Sequence, residues 1–274
     1  MTTELRPAAV AGTFYPAQPE RLARLVQDLL GEPPAERRTV RAAVVPHAGL
    51  VYSGACAGRV FGAIVIPPIV VVLAPNHTGE LRARGGASAW ARGAFDTPLG
   101  PVPVAEEFVA RLLARCPLVE HDPAAHAGEH AIEVELPFVK TLAPEAALAP
   151  LVLAWDDWPS CRKLAAALAD TVRATAQSVL LVASSDMTHY EPAAVCQRKD
   201  RLALEAIERL DGAELLATCR RERITMCVRA PAATVVEAAR LLGAAGAEVV
   251  DYRNSGWVTG DESSVVAYAG VVIA

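Results

Sequence analysis

Polar residues able to do chemistry gather at three points in this sequence, each where an apolar run stops. Val44-Val45 leads into Pro46-His47-Ala48-Gly49, Leu73-Ala74 into Pro75-Asn76-His77-Thr78-Gly79, and Val182-Ala183 into Ser184-Ser185-Asp186-Met187-Thr188-His189-Tyr190. Imidazole binds metals, and its ordinary pKa of about 6.5 lets it give or take a proton near neutrality. Ligands of open α/β sheets sit beyond the carboxyl ends of the strands, so the three loops are expected to share one crevice. A single histidine after a strand often only packs or caps. Three in a chain with six histidines is a less ordinary coincidence.

A fourth group is His126-Ala-Gly-Glu129-His130-Ala-Ile-Glu133-Val-Glu135-Leu136. His126 and His130 are four apart and would share one face of a helix. The spacing is also the H-x-x-E-H of one class of zinc peptidase. Gly128 weakens any helix there by about 1 kcal/mol relative to alanine. The favoured reading is a helix entrance that feeds His130 into the common crevice. Cys227 stands just before Pro231, a natural first residue of a helix. A thiol near a helix N-terminus ionises more readily and can then bind metal, although a free cysteine is more often a small buried core residue. Cys56, Cys116, Cys161, Cys196 and Cys219 lie in or beside helical patterns and read as core.

The elements that must position these residues alternate. Apolar strands are expected at Arg41–Val45, Ile69–Leu73, Leu148–Leu153, Val179–Val182, Ala247–Tyr252 and Val265–Ile273. Helices are expected from Pro19 to Gly31 and at Ser53–Ile64, Ala105–Ala114, His130–Leu142, Ser160–Ala174, Ala193–Leu210 and Pro231–Leu242. Runs without alternation belong to strands covered on both faces. Residues 85–101, rich in Gly and Pro, suggest short antiparallel strands carrying Trp90 and Phe95. The fold class is therefore α/β, a single domain over residues 1–274. It has a mostly parallel central sheet, helices on both faces and a small antiparallel extension.

Composition narrows the function classes. The 274 residues are 53% hydrophobic and 21% charged, with a net charge of −5, which suits one large globular unit. Arg220, Arg221 and Arg223 form the densest basic patch, but Glu222 interrupts it. A solvated helix end is expected there and no nucleic-acid partner. Ala63 to Pro75, the longest apolar stretch, contains Pro67 and Pro68 and is too short to cross a bilayer. Glu4, Arg6 and Pro7 break any export signal, and six cysteines without a C-x-x-C pair read as reduced thiols. A cytoplasmic protein with no membrane partner is expected.

Taken together, the motifs resemble the Memo family, including the proteins called AmmeMemoRadiSam system protein B. The resemblance runs from Ala11-Gly12-Thr13-Phe14-Tyr15-Pro16 through Pro46-His47-Ala48-Gly49 with Tyr52-Ser53-Gly54, then Pro75-Asn76-His77. It continues through His126 to Phe138, Ser184 to Tyr190, and Cys227. It implies a fold similar to class III extradiol dioxygenases, with His47, His77 and Cys227 at the positions that bind one metal ion. It also implies His189 as an acid/base histidine, with Asp186 and His130 nearby. Iron(II) or copper is the implied metal, and two imidazoles with a thiolate also suit zinc. One residue departs from the pattern: the family commonly has Gly after the cysteine, and here Val228 resists a positive φ.

Two functions follow as expectations. One is a mononuclear, dioxygenase-like metal-dependent oxidoreductase of unknown substrate, with His189 oriented by Asp186 for proton transfer. The alternative is a non-enzymatic peptide or small-ligand binder, or a metal-handling protein, using the same pocket. The family's system name implies a radical-SAM protein and a companion subunit as partners. Tyr15, Trp155, Trp158, Tyr190 and Trp257 are candidates for a pocket rim or for packing.

Overall fold

A computed structural model of the protein describes residues 4–227 and 229–274. Four parallel strands form the centre of its large sheet: Ala42–Val45, Val179–Ser184, Ile69–Pro75 and Ala147–Leu153, in that spatial order. Apart from Ala147 and Val179, their residues are buried, which is why the runs are apolar throughout. Val45 stands in register with Ser184, and Leu73 with Ala183. Three neighbouring strands thus end at nearly the same level.

Antiparallel pairings extend both flanks. Val265–Ile273 pairs with Ala42–Val45 and Ala247–Asn254, and its first residues pair with His189–Glu191. At the other flank Ala87–Ala89 runs antiparallel to Ala147–Leu153 and parallel to Val119–Glu120. Leu5–Arg6, Ala94–Phe95 and Val102–Pro103 form a separate three-stranded sheet. The expected extension around residues 85–101 is thus divided between two sheets.

Helices flank the sheet. Ala230–Leu241 lies on the central strands, with Trp158–Arg173 packed against it; Leu50–Ala63 packs on the C-terminal strands, with Pro19–Leu30 beside it. That last approach depends on Gly58, where a Cβ would meet the Leu29 carbonyl oxygen at 2.1 Å. Among the described residues no helix is long and apolar enough to cross a membrane. Arg220 and Arg221 end the helix Gly212–Arg221, as a solvated basic helix end should.

The chain departs from expectation at 130–142. Instead of one helix, residues 126–135 form the end of a short helix (Ala124–Ala127), a turn, and a 3₁₀ segment (Glu133–Glu135) before the helix Leu136–Leu142. The cause is polar. Glu129 reaches His77, Glu133 reaches the N-terminal segment and Glu135 reaches Ser184, and one regular helix face cannot aim three carboxylates in three directions.

Arg6, fully buried, clamps this segment. Its guanidinium pairs with Glu133 and donates to the carbonyls of His126 and Glu129. Glu133 also accepts the Ala9 and Val10 amides at 2.8 and 3.0 Å and the Tyr15 hydroxyl. Tyr15 is therefore a core residue rather than a rim residue. Removing one partner of a buried pair leaves the other charged and unpaired. Arg6→Met should cost about 3–5 kcal/mol in urea unfolding at neutral pH; a loss below about 1 kcal/mol would show that the clamp carries little of the fold.

Candidate metal centre

His47, His77 and Asp186 each lie two residues beyond the end of one of the three adjacent strands. Strand spacing of about 4.8 Å brings such loops side by side. Cys227 joins them from the segment before Ala230–Leu241: its amide donates to the Asp186 carbonyl at 3.0 Å, and the Cys227 carbonyl accepts from Ser185 Oγ at 3.0 Å. His47, His77, His130, Asp186, His189 and Cys227 all line one cleft of about 560 Å³. Val228 lies outside the described residues.

Donor atoms of His47, His77 and Cys227 fall within 4.8 Å of one another. Tetrahedral ligands at about 2.1–2.3 Å from an ion stand about 3.5 Å apart, so modest side-chain motion closes the set. Two further groups have the same closeness: His77 with Glu129 and His130, and Asp186 with His189 and Cys227.

The hydrogen bonds around the two leading imidazoles fix how they present their nitrogens. His77 Nδ1 bonds the Glu129 carboxylate at 2.9 Å, and the His77 amide donates to the same carboxylate at 2.7 Å. Burial opposes ionisation of Glu129, but His77, the Ala131 amide and His130 outweigh it and hold its pKa down to about 2. A carboxylate can only accept, so Nδ1 carries a proton, and in the neutral ring the lone pair then lies on Nε2.

His47 reaches the same state through a hydroxyl. Its Nδ1 lies 2.8 Å from Ser184 Oγ, which donates to the Ala131 carbonyl at 2.7 Å. A hydroxyl has one proton, so His47 Nδ1–H must be the donor. Ser184 Oγ also lies 3.1 Å from Glu135 Oε1, a second acceptor for the same proton, and burial pushes the Glu135 carboxyl well above the usual range. His47 Nε2 remains buried, with no hydrogen-bond partner among the described residues.

Protonation follows burial. Burial, with the charge of His77, lowers His47 to about 3; burial, with His47, lowers His130 to about 4. These rings are neutral at pH 7. Cys227 reverses the expectation of an easily ionised thiol: burial and the Asp186 carboxylate push it up to about 12. Buried apolar surroundings and nearby anions outweigh the helix end.

His189 is held differently from its expected arrangement. Its Nδ1 bonds the Thr225 carbonyl at 3.0 Å, its amide donates to Thr225 Oγ1 at 2.8 Å, and Nε2 lies 3.4 Å from Cys227 Sγ. Asp186 instead accepts the His47 amide at 2.8 Å. Thr225, not Asp186, orients the ring. The next residue, Tyr190, has φ 59° at a register shift in the strand pairing and stands 78% exposed at the mouth. Such a bulge bends the strand and re-aims the side chains beside it.

His126 stays outside the cleft. It is buried, with Nε2 2.9 Å from Ser88 Oγ and its ring against Trp90 and Phe95. The peptidase spacing is therefore not a metal-binding pair, because Gly128 ends the helix between the two histidines. Sequence reasoning missed Ser184 and Glu135 beneath His47 and Thr225 behind His189. Their only signal was a place inside or beside the motifs.

Comparison with known proteins agrees with the motif reading. A family model described as "Memo-like protein" matches residues 6–272. A MEMO1 family protein of Aquifex aeolicus is 40% identical over 269 residues, covering 98% of each chain. One of Methanopyrus kandleri is 36% identical, covering 97% of this chain and 98% of its own. An uncharacterized Escherichia coli protein of solved structure aligns over 84% of this chain and 99% of its own, with 15% identity and a TM-score of 0.48.

Two buried imidazoles and a half-buried one give a stability prediction. Burial lowers His126 to about 3, as it lowers His47, while His130 stands at about 4; all three start from 6.5. Between these values the unfolded chain binds more protons than the folded one, so stability falls as pH drops from about 6.5 toward 3, by up to about 1.4 kcal/mol per pH unit for each group. Glu129 adds the same sign below 4.5. His126→Asn removes one titrating ring and should make the slope of unfolding free energy against pH shallower by about one proton. An unchanged slope would mean that His126 is already protonated in the fold.

Proposed function

This chain belongs to the Memo-like protein family, and from that premise we propose that His47, His77 and Cys227 hold one metal ion in a cleft that performs redox chemistry on a small molecule. One observation carries the reading. His47 Nε2 is buried and without a partner among the described residues, in a ring whose other nitrogen is already committed to Ser184, beside donors from His77 and Cys227. Buried polar atoms rarely go unmet, and a cation meets this one.

The donor set fits a soft or borderline ion. Two neutral imidazoles and a thiolate suit copper(I), iron(II) or zinc, and iron or copper is favoured because each changes oxidation state. When bound, such an ion would supply electron transfer to a substrate in the cleft. Glu129 behind His77 and Ser184 behind His47 hold both rings in the metal-binding tautomer, as outer partners of metal-bound histidines commonly do.

Cys227 must lose its proton to bind. With Nδ1 donating to the Thr225 carbonyl, His189 Nε2 is an acceptor 3.4 Å from Sγ, placed to take that proton. The imidazolium so formed faces the cleft and can pass the proton to a bound substrate. His130, stacked on His77 with ring centroids 4.5 Å apart, is a second group for binding or proton transfer. Phe14, Tyr52, Tyr190 and Tyr268 give the cleft aromatic walls, which suit a small phenolic ligand.

Anaerobic loading with iron(II) or copper(I), followed by elemental analysis and oxygen-uptake assays with phenols and catechols, tests the proposal. His47→Ala, His77→Ala and Cys227→Ala should abolish stoichiometric metal, while His126→Ala should retain it. Ser184→Ala should weaken metal binding about 10–100-fold. His189→Ala should keep the metal and lose turnover. If wild-type protein turns over nothing and His189→Ala changes no metal-dependent property, the pocket is that of a binder or metal-handling protein. Full metal content in all three ligand variants would sink the site itself.

A further inference from the structure

A second cleft, of about 530 Å³, lies behind the Ile224–Cys227 segment and shares none of the candidate metal ligands. Its walls include Arg220, Arg223 and Arg229, with Asp156 the acid among its lining residues. Trp155, Ile224 and Met226 contribute apolar surface. In a chain of net charge −5, this hollow holds two more guanidiniums than carboxylates.

The arginines are unequally engaged. Arg229 grips Asp156 through Nε at 2.9 and 3.0 Å and Nη2 at 2.7 Å. Arg220 donates to the Asp156 backbone carbonyl, with its Nη2 4.0 Å from the carboxylate. Among the described residues, the Arg223 guanidinium has no hydrogen-bond or ion-pair partner; only its backbone is used, the amide donating to the Arg220 carbonyl at 3.4 Å and the carbonyl accepting from Lys199. Asp156 thus anchors the pair at one side and leaves Arg223 free at the other.

Arg223 also occupies an unusual backbone position. It follows the helix Gly212–Arg221 with φ 53°, while the Ile224 amide closes the helix end on the Cys219 carbonyl at 2.9 Å. Glycine fits this left-handed position without strain. A long cationic side chain stands there instead and lines the cleft.

We propose that this cleft is a binding site for a small dianion, specifically a phosphate monoester whose planar body lies against Trp155. Two excess guanidiniums match the charge of a phosphate monoester. Their N–H groups match its oxygens, and Trp155 in the lining offers an aromatic partner for a planar body. The site is independent of any metal in the first cleft, and its far wall is the segment that carries Cys227 and holds His189.

Calorimetric titration of the full chain at constant ionic strength, with inorganic phosphate, AMP and adenosine as titrants, tests this. AMP should bind saturably and more tightly than phosphate, and adenosine should not bind. Arg223→Gly removes the guanidinium while relieving the backbone, so its Tm should be unchanged or raised. Its AMP affinity should fall at least about tenfold, as loss of a charge-assisted contact implies. Arg220→Ala should weaken AMP similarly, and His47→Ala should leave AMP affinity unchanged, which separates this cleft from the metal pocket. Absence of saturable phosphate or AMP binding, full AMP affinity in Arg223→Gly, or loss of AMP binding in His47→Ala would each overturn the proposal.

Discussion

The shared register of three parallel strands is the constraint on which the rest depends. Hydrogen bonding between neighbours sets Val45 beside Ser184 and Leu73 beside Ala183. Whatever follows each strand must then emerge on the same rim. Two residues onward the chain has His47, Asp186 and His77, so backbone pairing alone delivers two imidazoles and a carboxylate to one opening. A slip of one residue in any strand would turn its side chains to the opposite face.

Beneath that rim the polar groups are satisfied by a set of specific contacts. Arg6 meets Glu133 and two carbonyls, Glu129 meets His77, and Ser184 is shared by His47, Ala131 and Glu135. Each contact spends a donor or acceptor that would be costly to bury alone. Together they replace the helix that hydrophobic periodicity favours at 130–142 with an irregular segment. The N-terminal strand is consequently part of the site's support, because Arg6 holds the carbonyl of Glu129, whose carboxylate fixes His77.

Electrostatics give the cleft its character. Burial keeps His47 and His130 neutral, and burial, with the carboxylates of Asp186 and Glu129, raises the Cys227 thiol. The cleft therefore presents lone pairs, a protonated sulfur and nearby negative charge. A cation would satisfy all three at the cost of one proton, and His189 is the neighbour able to take it. The second cleft has the opposite character: guanidiniums exceed carboxylates, and an anion is the missing partner.

Much of this was written in residue order. Continuous apolar runs identified the buried strands, because strands covered on both faces have no polar side. The loops after them named His47, His77, Asp186 and His189, because ligands collect at strand ends. His130 and Cys227 were also visible, through motif and family likeness. What sequence could not contain was which distant groups meet. Ser184 under His47, Thr225 behind His189, Arg6 against Glu133 and three arginines around one hollow are contacts across 36 to 137 residues for the bonded pairs. The raised thiol of Cys227 likewise follows from burial beside Asp186, 41 positions away by number. Local pattern records what each residue prefers; only the closed fold sets the dielectric and the partners that decide its charge.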